Sequence, residues 1–315
     1  MLSRTASNLF WIGRYLERAG TTARFLEVGA RITLLPNSAQ GYMNEWESLL
    51  NASGTAAGYT EKYGETREGD IEKYMFFDRD NPSSVASCIA SAREAGRIVR
   101  TALSRQVWDA LNVSYQELRA LEGKGKDLSE LTDWAVRSVT GVHGAAAATL
   151  LRNDGWHFLS LGSALERADA TARMLDVKYY VLLPRVEFVG SGLDSYQWQT
   201  LLRAMSAQRA FNWAYGGDIT AGKVAHFLIL NREQPRSLIN ALSKSTQHLN
   251  SLAERYGTGV PTMARDRAQE VLEDLRRQTI DHIFEEGLHE FLTRNINEVA
   301  HVSDLVHQDY LGGAV

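Results

Sequence analysis

The residues with the clearest chemical potential are charged, and they come twice. Leu16–Leu26 reads LERAGTTARFL and Leu165–Leu175 reads LERADATARML. Each stretch holds a Glu-Arg pair followed by another arginine: Glu17, Arg18 and Arg24 in one, Glu166, Arg167 and Arg173 in the other. On a helix, steps of three and four place Phe10, Gly13, Glu17, Gly20 and Arg24 on one stripe. Such groups suit more than one chemistry. They can neutralise each other in a buried ionic cluster, where loss of one partner costs about 3–5 kcal/mol. They can also line a cleft in which the arginines receive carboxylates or phosphates, while Glu17 and Glu166 hold the arginines or accept a substrate ammonium. In a further reading, Glu166 is the general base of an aminoacyl or peptidyl transfer. The residue types alone leave these alternatives open.

The segment NREQPRS, Asn231–Ser237, offers Arg232, Arg236, Ser237 and backbone N–H groups at an expected helix start, a natural place for an anion. Capping by Asn231 and Ser237 explains the same residues. In the matching segment DRDNPSS, Asp78–Ser84, Ser83 stands opposite Arg236, and in the Glu-Arg motifs Gly20 stands opposite Asp169. A site that used Asp169 or Arg236 would therefore be asymmetric.

Metal and nucleotide chemistry find less support. Glu286-Gly-Leu-His289 and Glu298-Val-Ala-His301 have the spacing of di-iron bundle ligands, but those come from facing helices. On one continuous helix the two pairs would lie about 18 Å apart, so no metal is expected. The sequence has no GxxxxGK[ST] loop, no HExxH and no GxSxG. Cys88 is the single cysteine, set among Ser and Ala in SVASCIASA, which suits a packed helix better than an activated thiol.

The elements that must position these residues are helical. Leu9, Ile12, Leu16, Ala19, Ala23 and Leu26 form one apolar seam, and Phe158, Leu161, Leu165, Ala168, Ala172 and Leu175 step identically. Asp154 is the expected N-cap of the second. Further helices are expected over Ser83–Leu111, Leu128–Arg152, Ser237–Tyr256, Thr262–Gln278 and Asp281–Tyr310, with prolines 82 and 235 suited to first turns. KYYVLL and RVEFV are the only short strand-like runs, and Gly58–Tyr74 reads as a long polar connection. Trp11, Trp46, Trp156 and Trp198 are most simply core.

The two motifs belong to a longer correspondence. Between Asn8–Val28 and His157–Val177, ten of 21 positions are identical. LLP follows both copies, WESLL is answered by WQTLL, and FFDRDNPSSV by ILNREQPRSL. The sequence thus predicts an all-α, internally duplicated helical bundle with pseudo-twofold halves, residues 1–145 and 146–315, forming one compact unit.

Composition sets outer bounds. The 315 residues are 44% hydrophobic and 23% charged, with a formal net charge of −4. There is ample material for a core, and no global positive field favours nucleic acid or anionic lipid. The N-terminal stretch carries charges within its apolar run, unlike a secretory signal, and GAAAATLL is too short to span a membrane. The expectation is a cytoplasmic protein that binds neither nucleic acid nor membrane.

These motifs resemble a bacterial family known as alpha-E, an all-helical domain with a Glu-Arg signature. The similarity rests on WIGRYLERAGTTARFLEV, on GWHFLSLGSALERADATARMLDV with FLILNREQPRSL after it, and on TGVHGAAAATLLRNDGW between them. It covers nearly the whole chain. The resemblance implies a genomic neighbour, a circularly permuted ATP-grasp protein, often accompanied by transglutaminase-like or proteasome-like peptidases. It further implies a pathway of ATP-driven carboxylate–amine ligation, with ATP and Mg on the ATP-grasp partner and no cofactor on this chain. The expected role is an accessory subunit that helps bind or orient a peptide or amino-acid substrate; a homo-oligomer is compatible with it. A transfer enzyme using Glu166, or a purely structural assembly subunit, are the alternatives.

Overall fold

A computed structural model describes residues 1–32, 39–182, 192–259 and 261–312. Among these residues there is no strand. The helices are α1 (Ser3–Ile32), α2 (Ala39–Ser53), α3 (Ala56–Tyr63), α4 (Glu68–Phe76), α5 (Val85–Ile98), α6 (Arg105–Leu121), α7 (Leu128–Thr149) and α8 (Asp154–Leu182). They continue as α9 (Gly192–Ala204), α10 (Gln208–Tyr215), α11 (Ala221–Ile229), α12 (Leu238–Tyr256), α13 (Met263–Arg277), α14 (Ile280–Glu286) and α15 (Leu288–Val306), with a wide last turn over His307–Leu311.

The fold is organised by the crossing of α1 and α8. The two apolar seams read from the sequence are both buried, each of their twelve residues at most 1% exposed. At the crossing, Gly13 and Gly162 bring backbone against backbone. A β-carbon on Gly13 would sit 2.1 Å from the carbonyl oxygen of Leu159, and one on Gly162 would sit 2.1 Å from that of Phe10. A glycine inside a helix costs about 1 kcal/mol relative to alanine, and here the cost admits a neighbouring helix rather than a ligand.

Other helices surround this axis. α5 and α7 pack on α1, and α6 closes over both; α12 and α15 pack on α8, and α13 closes over those. α2 leans on α8 while α9 leans on α1, so each central helix is covered from both ends of the chain. Ser84 and Ser237 cap α5 and α12, accepting from the amides of Ser87 and Asn240 at 3.0 and 3.2 Å. The side chain of Thr22 on α1 donates to the carbonyl of Ser83 at 2.9 Å, and that of Thr171 on α8 donates to the carbonyl of Arg236 at 2.8 Å.

Several expected boundaries are revised. The helix read over Ser83–Leu111 breaks at Val99–Ser104, where a short 3-10 turn intervenes and Ser104 caps α6. The helix read over Asp281–Tyr310 breaks at Gly287, whose φ of 102° other residues rarely adopt. Pro82 and Pro235 lie ahead of the serine caps rather than in first turns. Gly58–Tyr74 is mostly helical, forming parts of α3 and α4, because Tyr59, Ile71 and Tyr74 supply a buried stripe between its charges. Asn153, not Asp154, receives the Trp156 amide, at 3.3 Å. Asp154 instead takes the chain's terminal ammonium at 3.1 Å and the Tyr256 hydroxyl at 2.8 Å. Of the strand-like runs, residues 178–182 continue α8, while RVEFV, like LLP at 34–36, lies outside the described residues. Trp46 and Trp198 are buried; Trp11 and Trp156 pack partly buried against the core.

Candidate functional site

The Glu-Arg motifs meet at the α1–α8 crossing, each glutamate pairing with the arginine of the other helix. Glu17 is 1% exposed and accepts from Arg167 at 2.7 and 3.2 Å and from Arg236 at 2.6 Å. Burial would raise its pKa, but the adjacent charges of Arg236 and Arg167 outweigh that and hold its carboxyl well below the usual range. His143 on α7 brings Nε2 to 3.6 Å from the same carboxylate. Burial, reinforced by the two guanidinium groups, lowers His143 to about 4 against the pull of Glu17.

Glu166 has a parallel but different arrangement. It accepts from Arg18 at 2.6 and 3.0 Å and from Arg14 at 2.6 Å. Arg14 and Arg18 together overcome its burial and depress its pKa as well. Arg14 also donates to Ser303 at 2.6 Å and lies over the rings of Phe10 and Trp11. Both glutamates are therefore ionised and fully engaged. Each glutamate already accepts from two arginines, and those bonds occupy the oxygens that a substrate ammonium or proton would need.

The second arginines of the motifs also match. Arg24 donates to the carbonyl of Ala204 at the end of α9 and to the Ser206 hydroxyl at 3.1 Å. Arg173 donates to the carbonyl of Ala52 at the end of α2 at 3.5 Å and pairs with Asp169 at 2.8 Å. Arg24 faces no comparable carboxylate, and burial with the nearby charge of Arg236 lowers it to about 10. Burial also acts on Arg173, but Asp169 outweighs it and raises the pKa.

The two clusters differ in one respect that bears on function. Around Glu17, Arg236 reaches in from the start of α12 and pairs with the carboxylate at 2.6 Å. Around Glu166, the start of α5 offers only Ser83, and a cleft of about 220 Å³ remains. Arg18, Thr21 and Ser83 line one side of it, Glu166, Asp169 and Arg173 the other. The hydroxyl of Thr21 is buried there with no hydrogen-bond partner among the described residues, as is true of Arg24 Nε and His143 Nε2 beside the other cluster.

Of the residues singled out by sequence, Glu17, Arg167 and Arg236 thus form the closed cluster with Arg24 beside it. Arg18, Glu166, Asp169 and Arg173 form the open one. Arg232 is exposed on the turn before α12 and joins neither; its carbonyl accepts from Asn240 at 2.7 Å. Ser237 is occupied as a cap and by its own bond to the Asn231 carbonyl at 2.6 Å. The Glu-x-x-His pairs are taken up separately. Glu286 and Glu298 bind Arg294 and Arg267 at 2.6 Å, His289 binds Asp176 at 2.6 Å, and His301 is exposed. Among the described residues no group of three or more His, Cys, Asp or Glu could hold a metal ion. Sequence reasoning missed Arg14, Thr21 and His143. For Arg14 a signal existed in its position one helical turn before Arg18.

Comparison with known proteins agrees with this picture and adds little chemistry. An uncharacterised protein of Mycobacterium bovis is 24% identical over 311 residues, covering 90% of this chain and 34% of its own length. Uncharacterised proteins from two strains of Mycobacterium tuberculosis match to the same extent. The chain spans about a third of the length of these relatives. No solved structure matches it. The family model described as a predicted alpha-helical domain with a conserved ER motif matches residues 1–311, nearly the whole chain: the chain belongs to the Alpha-E family.

Proposed function

We propose that this chain is an internally duplicated accessory subunit of an ATP-grasp-type carboxylate–amine ligase, binding an anionic group of the peptide or amino-acid substrate in the cleft beside Glu166. The observation that carries the reading is the lining of that cleft. Arg18 and Arg173 each keep a guanidinium nitrogen uncommitted among the described residues. Such convergent donors suit carboxylate or phosphate oxygens.

Duplication is supported by matched bonds at matched sequence positions. Thr22 and Thr171 hold the starts of α5 and α12, Arg24 and Arg173 reach the ends of α9 and α2, and Glu17 and Glu166 exchange arginines. In this proposal a circularly permuted ATP-grasp protein supplies ATP, Mg and the acyl phosphate, and transglutaminase-like or proteasome-like peptidases act in the same cytoplasmic pathway. No described helix is long and apolar enough to cross a membrane, which accords with that setting. The saturated state of Glu166 argues against the reading in which it is a general base, whereas the closed cluster around Glu17 is structural.

The test is ATP-dependent phosphate release by the ATP-grasp protein on a panel of amino acids and short peptides, with and without this chain. The expected result is release that needs the chain and is lost with Arg173→Met. Equal release in both cases rejects the accessory role.

A further inference from the structure

The cleft can be defined more narrowly by asking where the two motif copies part. Two of their differences meet in it. Ser83 replaces the arginine found at position 236, which opens the space, and Asp169 replaces the glycine found at position 20, which adds a carboxylate to its wall. Gly20 in the closed cluster merely faces Val139; a β-carbon added there would meet its nearest neighbouring atom at 3.6 Å.

The lining offers both donors and an acceptor. Among the described residues, Arg18 commits Nε and Nη2 to Glu166, leaving Nη1, and Arg173 commits Nε to Asp169 and Nη1 to the Ala52 carbonyl, leaving Nη2. Asp169 braces Arg173 through Oδ2, and its Oδ1, open among the described residues, adds an acceptor that an anion alone would not use. A pocket meant for a cation gains nothing from two uncommitted guanidinium nitrogens. A ligand carrying both charges satisfies all of these groups. The volume, about 220 Å³, is below that of pockets that enclose drug-sized molecules, so it suits a small head group.

We infer that the cleft takes the zwitterionic head of a free α-amino acid, its carboxylate on Arg18 and Arg173 and its ammonium on Asp169. This rests on the substrate-binding reading above and narrows it: a free amino acid, rather than the blocked end of a longer peptide, is what this chain presents.

The experiment is isothermal titration of the purified full chain with L-alanine, N-acetyl-L-alanine, L-alaninamide and inorganic phosphate, each to about 10 mM so that millimolar affinities register. L-alanine is expected to bind at least about tenfold more tightly than either blocked form, because each lacks one of the two charges the site pairs. Asp169→Asn is expected to bring L-alanine and N-acetyl-L-alanine to within about threefold of each other. Ser83→Arg, checked by circular dichroism for an unchanged fold, is expected to abolish binding by filling the cleft. N-acetyl-L-alanine or phosphate binding as well as L-alanine would overturn the zwitterion assignment while leaving an anion site. L-alanine binding that survives Ser83→Arg, or no binding of any probe, would overturn it too. The phosphate-release assay judges the accessory role separately.

Discussion

Replacing Gly13 or Gly162 with alanine inserts one methyl group where two helix backbones touch. The new carbon would meet a carbonyl oxygen at 2.1 Å, whereas ordinary contact begins near 3.4 Å, so the helices must part by about 1.3 Å. Both atoms are fixed to backbone, which leaves no rotamer to relieve the strain. Overpacking of this kind costs about 1–3 kcal/mol, and the upper end applies here. Alanine returns about 1 kcal/mol of helix propensity, so each variant should lose about 2 kcal/mol. For a chain of 315 residues that corresponds to a Tm lower by about 3 °C. Gly141 and Gly144 on α7 provide the internal control. They are exposed, nothing lies within 4 Å of either added carbon, and alanine there should raise stability by up to about 1 kcal/mol. Urea unfolding of the four variants tests the sign at each site. The double variant at Gly13 and Gly162 should cost less than the sum, because one separation relieves both clashes. If Gly13→Ala and Gly162→Ala stabilise the protein as the α7 controls do, the close crossing is refuted.

Other expectations follow from the same clusters. Glu17→Gln keeps the shape but leaves Arg167 and Arg236 facing each other in a buried place, and should cost about 3 kcal/mol or more in urea unfolding; a loss under about 1 kcal/mol would mean the cluster is solvated. His143, held near 4 beside Glu17, Arg167 and Arg236, is neutral in the folded state while its unfolded counterpart protonates near 6.5. Its contribution is therefore present above pH 6.5 and is lost as pH falls toward 4, with a slope of up to about 1.4 kcal/mol per pH unit. His143→Gln should flatten that dependence in part, since His248, also lowered to about 4, retains its share; an unchanged slope would remove His143 from the account. Cys88 is buried, and that burial pushes its thiol up to about 12, so native protein should resist thiol reagents that label it fully in urea. Rapid native labelling would contradict its placement.

The parts of this structure that were legible in the sequence are those set by local periodicity. The seams on α1 and α8 are apolar at every third or fourth position, and every one of those residues is buried. Breaks were harder to see. Apolar spacing runs on through Val99 and through Gly287, and only the backbone shows that the helices stop there. The helices α3 and α4 were masked by their charges, because Lys62 and its neighbours dominate the pattern while the buried tyrosines are few. Which arginine meets which glutamate could not be read at all, since the exchange between α1 and α8 depends on the angle and register of a crossing. Arg14 escaped for a related reason. Comparison of the repeated positions sets it against Ser163, so it has no counterpart to draw attention to it.

That mismatch explains how the cleft can exist without unsettling the fold. The frames of the two clusters agree: Ser84 and Ser237 cap their helices, and Thr22 and Thr171 hold the preceding carbonyls. The side chain at the turn differs, Ser83 in one and Arg236 in the other. Removing an arginine from a buried glutamate would ordinarily leave the carboxylate short of a partner, at a cost of about 3–5 kcal/mol. At Glu166 the second cation comes from Arg14, on α1 itself, at 2.6 Å. The ionic requirement of the glutamate is met without the position that opens the cleft. The differences Arg14 against Ser163 and Ser83 against Arg236 are thus coupled: the first keeps the cluster neutralised, and the second leaves room for a ligand. It follows that Arg14→Ser should destabilise the protein by removing a partner of Glu166, whereas Ser83→Arg, which sets a third guanidinium beside a carboxylate already paired twice, should block the cleft at some cost in stability.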